Sequence, residues 1–105
     1  MQPADPLMSI ESIARASTGT GWQKEQDVLL ITIDCQRQPL WINAAEIGEK
    51  GLEAVAEALV GLQKANLGAN VMGQEPTTRK LTSYVAALGG RVKYNTGAGI
   101  ENSRR

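Results

Sequence analysis

The residues best placed to do chemistry lie between Gly73 and Lys93. Gly73-Gln74-Glu75-Pro76 reads as a turn after a short apolar run, and Thr77-Thr78-Arg79-Lys80 then opens a predicted helix. Helix N-termini carry unpaired amides and a partial positive charge, so two hydroxyls and two cations there could hold a phosphate or carboxylate. Ligands of open α/β sheets also sit beyond the carboxyl ends of strands. Arg91 and Lys93 come from a neighbouring predicted strand, and Arg104 and Arg105 close the chain. These cations are expected to converge with the Thr77–Lys80 cluster on one end of a sheet. The plainer reading is that a threonine caps the helix while Arg79 and Lys80 are solvated. The spacing is not that of a phosphate-binding Walker loop.

Cys35 is the second candidate. It follows an apolar strand and Asp34, and it precedes Gln36-Arg37-Gln38-Pro39. A thiol in a turn beside Arg37 could have a lowered pKa and act as a nucleophile. Ile33-Asp34-Cys35 with Pro39, and Glu75-Pro76-Thr77-Thr78-Arg79, are similar in outline to small sulfur-carrier proteins of the TusA type. Those proteins place a cysteine after the first strand and begin their second helix after an acidic-Pro turn. The likeness covers about half the chain and implies a carrier thiol at Cys35. It departs from the family where the cysteine is followed directly by proline, because Gln36 stands there. The alternative is an inert cysteine at a strand end.

Other constellations are excluded. The chain has no histidine, so imidazole metal sites, Ser-His-Asp triads and Cys-His dyads cannot form within it. A single cysteine rules out an internal disulfide. Asp27 and Asp34 flank one predicted strand and are about 20 Å apart at strand rise, too far for paired acid/base work. Glu49, Glu53 and Glu57 recur at helical spacing, which reads as a wet face. Gly19-Thr20-Gly21 precedes a strand instead of following one, so the dinucleotide fingerprint does not apply. Tyr94, near Arg91 and Lys93, could stack on a base or sit in the core. Trp41, on a predicted edge strand, could anchor a protein partner. No metal or other cofactor is expected.

The composition permits an ordinary fold. Of 105 residues, 42% are apolar, and 11 basic side chains balance 11 acidic ones. The balance is uneven, with a net −3 over residues 1–50 and +3 over 51–105. A general polyanion binder usually shows a clear basic excess. Met1 to Pro6 lacks the basic and apolar segments of a secretory leader, and no apolar run approaches a membrane span. A cytoplasmic location, away from membranes, is expected.

The elements that position these residues follow from periodicity. A loose arm over 1–8 should precede a short helix from Ile10 to Ala16, capped by Ser9. Val28 to Ile33 is nearly all apolar and β-branched, as a strand covered on both faces requires. Leu40 to Ile42 reads as a short edge strand after Pro39. Asn43-Ala44-Ala45-Glu46 has capping-box spacing. The helix that follows carries Leu52, Val55, Ala56, Leu59 and Leu62 on one stripe and runs to about Ala65, although Gly48 and Gly51 could delay its start to Glu49. Asn66 and Gly68 should stop it. Ala69 to Met72 is a strand. A helix from Thr77 to Leu88 follows, with Leu81, Tyr84, Val85 and Leu88 inward, and then a strand from Arg91 to Tyr94.

The fold class expected is α/β, with α+β as the alternative. It comprises a short N-terminal helix and then β-β-α-β-α-β with a mixed, partly parallel four-stranded sheet. One domain over 9–95 and a basic tail over 96–105 complete it. The leading functional expectation is a non-enzymatic binding or accessory module acting through protein contacts, including self-association through an edge strand. Nucleic-acid or phosphorylated-ligand binding through Thr77, Thr78, Arg79, Lys80, Arg91, Lys93 and the tail is the second. A sulfur carrier using Cys35 is the third.

Overall fold

Asp5 sets the first helix. Its carboxylate accepts from the Leu7 amide at 3.0 Å, and Pro6, with φ already helical, begins the helix Pro6–Ala16 (α1) in this computed structural model. The model describes residues 5–17, 27–34 and 38–96. Helix α1 therefore starts four residues before the predicted Ile10. Residues 6–8, assigned to the arm, form its first turn, and the Ser9 amide donates to Asp5 O inside the helix instead of Ser9 capping it.

Strands β1 (Val28–Ile33), β2 (Leu40–Asn43), β3 (Ala69–Gly73) and β4 (Lys93–Thr96) form one sheet in the order β2-β1-β3-β4. Strand β1 is antiparallel to both neighbours, and β3 and β4 are parallel. The architecture is the expected mixed α/β sheet with order β-β-α-β-α-β. The crossover through helix α2 (Ala44–Lys64) joins β2 to β3 over the intervening β1, and helix α3 (Glu75–Ala87) joins the adjacent parallel pair.

Helix α2 packs between α1 and α3, so the three described helices form one layer. The strand side chains that are wholly buried point into that layer: Leu29, Ile31 and Ile33 from β1, Ile42 from β2 and Val71 from β3. They meet Ile10, Val55, Leu59, Leu62, Leu81 and Val85. The described helices thus cover β1 on one face, and on the other its Val28 end is buried. Leu30 is half-buried and Thr32 exposed, so its apolar composition overstates its burial.

Asn43 caps α2 as the spacing predicts, its side-chain oxygen accepting from the amides of Ala45 and Glu46 at 3.1 and 3.3 Å. The reciprocal half of the box is filled otherwise: the Asn43 amide donates to Ser17 Oγ at 3.2 Å, tying the end of α1 to the sheet. One turn later Gly48 adopts φ 68°, ψ −169°, and the chain restarts as a helix beyond it. A Cβ at Gly48 would meet nothing within 4 Å, so any penalty there is purely conformational. Gly48→Ala is expected to lower stability by about 1–3 kcal/mol in urea denaturation. At the other end Asn66 takes φ 64° and the Leu67 amide returns to Leu62 O at 2.8 Å, closing the helix.

Helix α3 begins at Glu75, two residues early, because Pro76 suits its first turn. Leu88, expected inward, is 46% exposed, since the helix ends at Ala87 and Gly89 turns the chain at φ 81°.

Candidate functional site

Two ends and one face of the sheet are open to consideration. At the carboxyl end of β3, helix α3 presents the predicted anion cluster, and the protein's own groups occupy it. Thr77 and Thr78 are buried. The Thr77 hydroxyl donates to the Asp27 carboxylate, and the Thr78 hydroxyl donates to the carbonyls of Gln74 and Glu75 at 3.0 and 3.1 Å. Asp27 thereby sets a negative charge beside the positive end of α3, where an external anion would otherwise sit. Arg79 is paired with Glu75 one turn back, and Lys80 with Glu49 of α2. The hydrogen bond from Lys80 to Glu49 pushes the lysine pKa up. Both pairs are exposed and hold their partners weakly.

Arg91 and Lys93 lie elsewhere. Lys93 pairs in register with Asn70 at the amino end of β3, whereas α3 starts beyond Gly73 at its carboxyl end. A parallel crossover carries the chain back to the end at which β3 began, so the six predicted residues divide between opposite ends of the sheet. Their convergence is not realised. Cys35 and the arginines of the tail fall outside the described residues, as does Gly19-Thr20-Gly21.

The face turned away from the helices carries the arrangement that sequence reading missed. Register places Trp41, Leu30 and Met72 side by side across β2, β1 and β3, with Asn95 next on β4. The adjoining row is Thr32, Asn70 and Lys93, and Asn95 Nδ2 donates to Asn70 Oδ1 at 2.8 Å. Directly opposite side chains in a sheet stand about 5 Å apart, so each row is continuous. Trp41 is 38% exposed, and Leu30 and Met72 are half-buried. Val28 and Asn43, at the Asp27 end of the same face, are buried. No described helix covers this face, and Lys93 is the one charged residue on its two central rows. The signal available in sequence was the alternation of Thr32, Asn70 and Asn95 with inward apolar residues.

Tyr94 points the other way. It stands opposite Val71 on the helix side, half-buried beneath α3, which is the core reading of this aromatic. Burial pushes its phenol up to about 12, opposed in part by the nearby Thr82 hydroxyl. That hydroxyl itself donates to Thr78 O at 2.6 Å, and the phenol oxygen is buried without a well-formed hydrogen bond. A phenol raised above its unfolded value of about 10 contributes stability that is complete below that pH. The contribution is lost as pH rises toward 12. Tyr94→Phe is therefore expected to keep or raise stability at neutral pH and to flatten the alkaline decline, read by denaturation at several pH values.

The edge of β2 is blunted. The Ala44 amide bonds Asp27 O at 2.8 Å, so by antiparallel alternation Leu40 and Ile42 face β1 while Trp41 and Asn43 face outward. The Asn43 amide is taken by Ser17, and Pro39 has none to give. Among the described residues, this edge therefore offers an added strand few donors.

Among the described residues no helix is long and apolar enough to cross a membrane, and no cluster of three potential metal ligands occurs. Compared with protein-family models, with curated proteins and with solved structures, the chain matches none significantly.

Proposed function

We infer that this chain is a non-enzymatic binding module that contacts a protein partner through the helix-free face of its sheet. The Trp41–Leu30–Met72 row carries this reading. An apolar row rimmed by amides and one lysine suits a protein surface, because a polyanion would find a single cation there among the described residues. The face measures about 20 Å on a side, by strand spacing and rise. That is smaller than the roughly 800 Å² per partner of a standing complex, and it suits a transient one built around an aromatic anchor. The face is favoured over the β2 edge for self-association because that edge offers few donors.

Affinity capture from the producing cells tests the reading, comparing the wild type with Trp41→Ser/Met72→Ser and with Leu88→Ser. The first variant is expected to lose the captured partner and the second to keep it. A partner retained equally by both would remove the sheet face from consideration. Saturable, salt-weakened binding of a short oligonucleotide would replace this reading with nucleic-acid binding.

A further inference from the structure

Beyond the sheet face, a groove of about 460 Å³ opens where α2 ends and β3 and β4 begin, within the size range of small-molecule sites. It brings Arg91 and Lys93 together with Asp34, which follows β1 and reaches this end because β1 runs antiparallel to β3. Two of these residues are anchored through their backbone amides. The Asp34 amide donates to Gly68 O at 3.1 Å, and the Asp34 carboxylate fills the space a side chain at Gly68 would need. The Arg91 amide donates to Gln63 Oε1 at 2.5 Å, fixing the approach to β4 to the last turn of α2. Arg91, just before β4, and Lys93, at its first position, both line the groove. Both are exposed, and neither forms an ion pair with a described residue. Asn70 stands beside Lys93, and Leu67 and Val92 give the groove an apolar flank.

We propose that this groove binds a small phosphomonoester with a hydroxylated body, a sugar phosphate or a nucleoside monophosphate. These two cations, unpaired among the described residues, attract the dianionic phosphate. Asp34, which can only accept hydrogen bonds when ionised, takes them from the hydroxyls and repels bare phosphate. Leu67 and Val92 can pack on the sugar or a base. This site is independent of the sheet-face contact, although Lys93 and Asn70 border both.

Amide chemical-shift titrations of the full chain with ribose 5-phosphate, adenosine 5′-monophosphate, adenosine and inorganic phosphate test it. Both phosphomonoesters are expected to give saturable shifts at Asp34, Gly68, Asn70 and Val92, and adenosine none. Tighter binding of the nucleotide would identify the base as part of the ligand, and equal binding would identify a sugar phosphate. Arg91→Gln should weaken binding about tenfold, and Asp34→Asn should erase the preference over inorganic phosphate. Trp41→Ser/Met72→Ser should leave binding unchanged, which separates this site from the face. The proposal is overturned by the absence of saturable shifts, by inorganic phosphate acting as strongly as the esters, or by a preference that survives Asp34→Asn.

Discussion

Ile31→Ala is expected to cost about 2–5 kcal/mol, and Leu30→Ala beside it about 1 kcal/mol. The two residues are adjacent, apolar and in the middle of β1. Ile31 lies wholly within the helix-covered face, between Leu40 and Val71, so truncation leaves a cavity that the surrounding side chains cannot fill. Leu30 lies between Trp41 and Met72 and is already half in solvent, so it loses less contact and leaves no closed void. In a domain of this size each kcal/mol shifts the melting temperature by roughly 4–8 °C, so the pair should separate clearly in thermal unfolding. Equal losses would mean that the second face is covered as tightly as the first, and the proposed contact surface would go with it.

Thr77→Val is expected to cost about 2–3 kcal/mol, and Thr78→Val less than half of that. Both hydroxyls are buried at the start of α3, and valine preserves their shape. The difference lies in what each leaves behind. The Thr77 hydroxyl donates to Asp27, whose other carboxylate oxygen is buried with no partner among the described residues. Losing that donor strands a charged group, and charged acceptors are the costly ones to abandon. The Thr78 hydroxyl donates to carbonyls of its own helix, one of which also receives the Thr78 amide. Urea denaturation of both variants gives the comparison. A neutral Thr77→Val would mean that Asp27 is satisfied without it, and that the threonine does not occupy the anion position at α3.

The same contact gives the Thr77–Lys80 cluster a partner that its local sequence does not announce. From sequence, Thr77-Thr78-Arg79-Lys80 offers two donors and two cations at a helix start. Asp27, fifty residues earlier, and Glu49 on α2 supply the internal partners, and no local pattern announces them. Gly73 marks the approach in retrospect. A Cβ there would lie 2.7 Å from Leu29 Cδ2 and 3.1 Å from Val28 O, so the glycine lets the end of β3 pack directly against β1 and brings Asp27 to Thr77.

What the sequence by itself determined is local. The β-branched run at Val28–Ile33, the Asn43 cap, the stripe Leu52-Val55-Ala56-Leu59-Leu62 and the stop at Asn66 each follow from backbone propensity and periodicity within a few residues. The order of elements, and with it the mixed sheet, follows from them. The tertiary structure decided which side of β1 faces the core, since an apolar strand reads the same from either side until helices are laid on one of them. It also decided which charges meet, because a parallel crossover sends Arg91 and Lys93 to the end of the sheet opposite Thr77 and Lys80. The open face and the Arg91 groove are products of that placement. Each is assembled from residues far apart in the chain, whose only shared property is strand register.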